Sequence, residues 1–297
     1  SAASDVYKRQ MKSIGFGNIR DKKQLTQILK DVEESYTQHQ LVTQDETTDL
    51  CEFEKEYGEG IGIKVCGDMD IDEQFEYRYY TPYFKGSGVT SYADVSVERR
   101  IDREAYVGIC EDTKVGIKLV FYLQNMMEYL RERQLGGRSI KYSSVTLSGL
   151  CNEGTILLPV LKSKEQEREQ QEDVHNRMLL LSAAKSGDPQ AIESLTLDDI
   201  DTYSKVSRRL ISEDVFTIVD TYIMPYGIEC DRYSIMGEIL EYRPTRNEIT
   251  REDICIMKLD VNGLLFDVCV PKREVMGEPA VGRRFKGNVW LQGRINF

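Results

Sequence analysis

The chain is expected to be an α+β protein: an N-terminal antiparallel sheet packed by helices, a helical middle segment, and a small C-terminal β-barrel of the OB- or SH3-like kind. Three observations lead there. From Leu50 to Cys110 the hydrophobicity alternates with a period of two, in short runs broken by glycine and proline. From Lys162 to about Leu210 the spacing becomes helical and dense in charge, and from Tyr233 short strand-like runs return. The corresponding boundaries are 1–10, a foreign leader; 11–161, the α+β domain; 162–222, a helical connector; and 223–297, the barrel.

Ser1 to Gln10 is discontinuous in pattern with the residues after it, and Met11 makes a natural start, so the leader is set aside from the fold as a tag would be. A first amphipathic helix is expected from about Lys22 to Tyr36, with Leu25, Ile28, Leu29 and Val32 on one face. Strands are expected over Cys51–Tyr57, Gly60–Cys66, Phe75–Phe84, Val89–Arg99 and Ala105–Cys110. Val115 to Leu130 reads as the helix on which the first domain is assembled, because Val115, Leu119, Leu123, Met126, Met127 and Leu130 recur at three- and four-residue steps. Two more runs, Ser139–Ser148 and Thr155–Leu161, are joined through Gly149 to Gly154. In the connector, Asp188-Pro189 supplies an N-cap and a first-turn proline, and Thr196 caps a further helix to about Leu210. The barrel strands are Tyr233–Tyr242, Ile254–Val261, Leu264–Val270 and Arg284–Ile295, with Asn262-Gly263 suited to a type I′ hairpin turn.

Composition excludes several classes. A 297-residue chain with 40% hydrophobic content builds real cores, and its net charge of −11 repels polyanions unless a basic patch is segregated on one face. No apolar run reaches the roughly 20 residues a bilayer needs, and no signal-peptide pattern is present, so a cytoplasmic protein without membrane contact is expected. The seven cysteines are scattered without a C-x-x-C pair and sit mostly in apolar runs, as buried free thiols would.

No residue set in the sequence converges on a reaction. Asp68-Met-Asp70-Ile-Asp72 has the cadence of a calcium loop, but the sixth position is Glu73 where glycine is needed and the twelfth is Tyr79 where a bidentate Glu is needed; an acidic turn is expected instead. The pairs Gly15-x-Gly17 and Gly58-x-Gly60-x-Gly62 lack the strand-to-helix setting and the Lys-Ser/Thr of a phosphate cradle. The two histidines, His39 and His175, lie in polar surroundings, so no metal site and no cofactor are expected. Cys230 is expected to be an ordinary loop thiol, and the aromatic run Phe75, Tyr77 and Tyr79 to be cross-strand packing. Arg283, Arg284, Lys286, Trp290 and Arg294 form the one candidate binding surface, base interleaved with aromatic as on barrels that hold single-stranded nucleic acid.

Several stretches together resemble a known family: Tyr79-Tyr-Thr-Pro-Tyr83 with Gly86-Ser-Gly-Val-Thr90, Asp94-Val-Ser-Val-Glu-Arg99, Val115-Gly116 to Phe121-Tyr-Leu-Gln-Asn125, Thr146-Leu-Ser-Gly149, Ile192-Glu-Ser-Leu-Thr-Leu197 to Asp201-Thr-Tyr203, and Val219-Asp-Thr-Tyr222 to Pro225-Tyr-Gly-Ile-Glu-Cys-Asp231. They look like domain-of-unknown-function family 3881, from Gram-positive gut anaerobes. The resemblance implies a cytoplasmic bacterial protein and a family start upstream that the first ten residues have replaced; it carries no activity to transfer. The expected function is therefore non-enzymatic binding of a partner, most simply another protein. Single-stranded nucleic-acid binding by the barrel is the first alternative, and an enzyme using carboxylates such as Glu98 and Asp102 is the second.

Overall fold

A computed structural model describes residues 7–19, 21–100, 105–136, 144–160, 164–209 and 218–297. After helix α1 (Lys22–Glu34), whose N-cap Asp21 accepts a hydrogen bond from the Gln24 amide, the chain forms a four-stranded antiparallel meander of β1 (Gln38–Thr43), β2 (Thr48–Gly58), β3 (Ile61–Asp70) and β4 (Phe75–Phe84). Next come β5 (Val95–Arg100), β6 (Ala105–Glu111), β7 (Lys118–Leu123), helix α2 (Met126–Gln134) and the long strand β8 (Ser144–Leu157). Helices α3 (Lys164–Lys185) and α4 (Pro189–Arg209) make a hairpin that turns at Gly187. The chain ends with β9 (Tyr222–Pro225), β10 (Arg232–Arg246), β11 (Asp253–Val261), β12 (Leu264–Pro271), β13 (Val275–Met276) and β14 (Arg284–Asn296). Among the described residues no helix is long and apolar enough to cross a membrane.

Strands β8, β12, β11, β10 and β14 close into a five-stranded barrel, with β14 pairing antiparallel to β8 and β8 running parallel to β12. The barrel therefore takes a strand from the residues before the helical hairpin as well as from residues 232–296. Closure pairs every strand on both edges, and residues 232–296 supply only four of the five strands. The described parts of the runs expected on either side of Gly149–Gly154 join in one strand that ends at Leu157, because those glycines leave room for Val268, Val289 and Phe285 to pack against the backbone; residues 139–143 and 161 of those runs lie outside the described residues. Asn262 and Gly263 both have positive φ, 53° and 81°, as a type I′ turn between β11 and β12 requires.

Val115 to Leu130 is not a single helix: Lys118–Leu123 is a strand, and the helix begins only at Met126. Leu119, Phe121 and Leu123 alternate with Lys118, Val120 and Tyr122, and an unbroken apolar run satisfies a strand as readily as a helix. Tertiary context decides: β7 hydrogen-bonds to β6 and meets β14, and the Phe121 ring lies directly over Gly108 and Gly293, where any Cβ would collide. Edge strand β1 and the continuity of α4 through Thr196 also differ from the pattern reading.

Two large cores result. Inside the barrel Phe285, Val289, Leu291 and Ile295 of β14 meet Phe266, Val268 and Leu259. Outside it, the apolar face of the four-stranded sheet (Ile61, Ile63, Val65, Tyr80, Phe84) packs with Leu25 and Leu29 of α1 and with Trp290, Ile254 and Ile256 of the barrel. Tyr7, within the stretch expected to stand apart, is 2% exposed, with its ring 5.5 Å from Trp290 and 6.4 Å from Tyr80.

Candidate functional site

The other face of the four-stranded sheet is polar. Side chains of a strand alternate between faces, so Glu52, Glu54 and Glu56 of β2 emerge together, opposite Phe53 and Tyr57. Register then aligns Gln38, Glu54, Lys64 and Thr81 across four strands, and Gln40, Glu52, Cys66 and Tyr79 beside them. The end of β7 and the start of α2 cover this face, with Met126 and Met127 closing the apolar margin against Val42 and Leu50.

At the centre the Lys64 ammonium has three donors and three acceptors: Glu52 Oε1 at 2.6 Å, Gln124 O at 3.0 Å and Glu54 Oε2 at 3.2 Å. Lys85, just beyond β4, pairs with Glu54 Oε1 at 2.5 Å, and both ammonium groups flank the Tyr83 ring, at 5.9 Å and 5.2 Å from its centroid. Burial alone lowers a lysine pKa, but Glu52 and Glu54 outweigh it and hold Lys64 above its ordinary value. Burial raises Glu54, and the two lysines more than cancel that, holding it below the usual carboxylate range. Burial pushes the Cys66 thiol and the Tyr83 phenol up, with Glu52 adding to the first and Glu54 to the second. Although Glu54 is close enough to act on it, the buried Tyr83 hydroxyl makes no hydrogen bond of ordinary geometry.

This cluster floors a cleft between sheet and barrel. Its outer part, about 500 Å³, is lined by Lys85, Gln124, Glu128, Thr146 and Arg294, and its inner part by Glu54, Lys64 and Tyr83 with Gln38 and Gln40. Arg294 Nη2 donates to Glu128 Oε1 at 3.0 Å, and Asn125 Nδ2 donates to Glu128 Oε2 at 2.8 Å. The walls are fixed by a buried amide knot. Gln124 Nε2 donates to Phe84 O and to Gln292 Oε1, both at 2.7 Å, while Gln292 Nε2 donates to Pro82 O at 2.9 Å. Asn125 exchanges two hydrogen bonds with the Ile295 backbone. The cleft is preformed, since β4, β14 and the β7–α2 junction are tied to one another inside it.

The base-and-aromatic set expected on β14 does not form one exposed surface. Trp290 is 4% exposed, its Nε1 donating to Asp231 at 2.9 Å, and Arg284 is 7% exposed, donating to the carbonyls of Leu158 and Val219. Trp290 and Gln292 point out of the barrel onto the first sheet, while Asn288 and Arg294 stay exposed, a consequence of tertiary packing that strand alternation cannot reveal. Arg283 bonds the Glu278 carbonyl, Lys286 is half-buried, and only Arg294, at the far end, reaches the cleft. The Asp68–Asp72 segment is a hairpin end in which Asp70 Oδ1 accepts from the Asp72 and Gln74 amides. Among the described residues no group of three His, Cys, Asp or Glu could hold a metal ion. Cys230 is exposed, Glu98 is exposed on β5, and Asp102 lies outside the described residues. Motif reasoning passes over the cleft carboxylates, yet a signal exists: Glu52-x-Glu54-x-Glu56 and Lys64 interrupt apolar strand runs at period two.

These features define an α+β protein in which an antiparallel sheet and a closed five-stranded barrel share a preformed polar cleft. The family described as "Domain of unknown function, E. rectale Gene description (DUF3881)" matches residues 11–293, and the chain belongs to it. No curated protein and no solved structure matches the chain.

Proposed function

We propose that this is a cytoplasmic, non-enzymatic binding protein whose ligand is a small polar molecule held in the cleft at Lys85, Gln124, Glu128 and Arg294. The observation that carries this reading is the convergence of polar side chains from separate strands on one concave, rigid site. The protonation states support binding over catalysis. General acid–base chemistry needs groups that exchange protons near neutral pH, whereas Lys64 is held charged, Glu54 is held ionised, and Cys66 and Tyr83 are held protonated. Unpaired cysteines throughout support a reducing compartment. We read the barrel as OB-like, on the ground that a β10–β11–β12 meander is closed by a single parallel contact to β8.

The test is a thermal-shift screen of small polar metabolites against the wild type, Lys85→Ala and Arg294→Ala. A ligand at a hundredfold excess over its Kd should stabilise the wild type by about 2.7 kcal/mol, and the variants should lose most of that. Stabilisation unchanged in both variants would refute the assignment.

A protein partner is the second reading, favoured by the helical hairpin, where Leu179, Ile192, Leu197 and Ile200 are 50–60% exposed. Leu197→Glu with Ile200→Glu should leave ligand binding in the cleft unchanged, which separates the two readings.

A further inference from the structure

We infer that the space between sheet and barrel filled by the Tyr7 ring is a binding slot for a small flat aromatic molecule of the phenol class, with Tyr7 as its plug. The slot is separate from the polar cleft. Tyr80 belongs to the apolar face of the four-stranded sheet, whereas Glu54 and Lys64 of the cleft floor emerge from the other face.

Three rings from separate strands receive Tyr7: Tyr80 of β4, Tyr122 of β7 and Trp290 of β14. Their centroids lie 6.4, 6.4 and 5.5 Å from its own, the first two meeting it edge to face at 67° and 71° and the third tilted by 36°. Aromatic pairs favour edge-to-face and offset arrangements at roughly 4.5–7 Å, so these walls suit a flat ring over an aliphatic group of the same outline. The walls are also held by contacts that Tyr7 does not make. The Tyr122 and Thr81 hydroxyls are 3.1 Å apart, Trp290 Nε1 donates to Asp231 Oδ2 at 2.9 Å, and the Tyr122 and Trp290 rings pack at 5.2 Å. An apolar space whose walls keep their places when the occupant leaves stays dry and takes up ring-sized molecules.

Two observations make Tyr7 a plug and not a fixed part of the core. It precedes the family-matched span, 11–293, within which all three walls fall. The chain after it has anchors of its own: Ser13 Oγ donates to Asn152 Oδ1 at 2.7 Å, Asn247 Nδ2 to Ile14 O at 2.8 Å and Thr250 Oγ1 to Gly15 O at 2.8 Å. The helical residues 7–10 can therefore leave the slot without releasing Met11 to Gly15.

The probe is p-cresol, the tyrosine side chain as a free molecule. The full chain carrying Tyr7→Ala, its folding checked by circular dichroism, should bind p-cresol one to one as read by the fluorescence of Trp290, the single tryptophan. It should bind 4-methylcyclohexanol, which lacks the flat ring, at least tenfold more weakly. The wild type should bind p-cresol at least tenfold more weakly than the variant, because Tyr7 competes for the slot. Lys85→Ala, added to Tyr7→Ala, should leave the p-cresol affinity unchanged. In the wild type, saturating p-cresol should speed tryptic cleavage after Lys8 and Arg9 and 4-methylcyclohexanol should not, a readout that decides the matter even where Tyr7→Ala fails to fold. Equal affinity of wild type and variant, equal binding of the two probes, or a loss of binding through Lys85→Ala overturns the inference. So does a folded variant that binds no p-cresol, or tryptic cleavage that p-cresol leaves unchanged, since Tyr7 is then fixed core.

Discussion

Replacing Lys64 by Met removes the one cation shared by two buried carboxylates, and the cost can be worked from the geometry. Glu54 keeps Lys85 at 2.5 Å, but Glu52, with its side chain 4% exposed, keeps only the weak Cys66 thiol contact. One buried carboxyl group thus loses its cation, and breaking a buried pair in this way costs about 3–5 kcal/mol. Urea unfolding monitored by Trp290 fluorescence at pH 7 should show a destabilisation of that size. Adding Glu52→Gln should restore most of it, because the unpaired acid is gone and the shape is nearly kept. The pH profile carries a second signature. The folded pKa of Glu54 lies below its ordinary 4.5, so its contribution is present above that value and is lost as pH falls through the depressed folded value. The folded pKa of Lys64 lies above 10.5, so its contribution is complete below that value and is lost only as pH rises through the raised one. If Lys64→Met costs less than about 1 kcal/mol, the range of an exposed pair, the cluster is solvated and the reasoning about its fixed protonation fails.

Other outcomes rest on single contacts. Gly62→Ala places a Cβ against the Lys55 carbonyl and the Tyr83 hydroxyl, and should lower the urea midpoint by an amount equivalent to about 1–3 kcal/mol. Trp290→Phe removes the side-chain donor to Asp231 Oδ2, while Oδ1 of the same carboxylate already lacks a partner; chemical denaturation should report a loss of about 1–3 kcal/mol. Of the seven cysteines only Cys230 is exposed, and burial pushes Cys51 and Cys151 up to about 12. A thiol reagent at pH 8 should therefore titrate one group quickly in the native protein and all seven in denaturant. A second fast thiol would show that one of the buried strands opens.

Much of the secondary structure is legible in the sequence because it rests on local chemistry. The alternation of β2 to β4, the Asn262-Gly263 turn and the Asp188-Pro189 helix start need only side-chain period, positive φ and a proline lacking its N–H. Lys118–Leu123 reads wrongly as helix because Val120 and Tyr122 make its second face apolar too, so no polar period reveals its class. Its state is set by β6 and β14, the second of which is far away in sequence.

The candidate site divides along the same line. Glu52, Glu54, Glu56 and Lys64 can be marked from sequence as charges at strand period inside apolar runs. Their meeting with Gln124, Glu128 and Arg294 cannot, since those residues lie 60 or more positions away from Lys64 and are joined to it only by packing. Conversely, Arg284 and Trp290 look like a surface in sequence and are covered in the fold.

By itself, then, the sequence determined the class of protein, the separation of strand-rich and helical segments, and the free state of its thiols, because each depends on composition or on neighbours within a few residues. Only the tertiary structure decided that β8 closes the barrel, that Trp290 and Gln292 on the outer face of β14 are covered, and that a polar sheet face becomes the floor of a cleft. Those outcomes depend on which hydrophobic face finds which partner, and alternation along a strand states that a face exists without stating what will cover it.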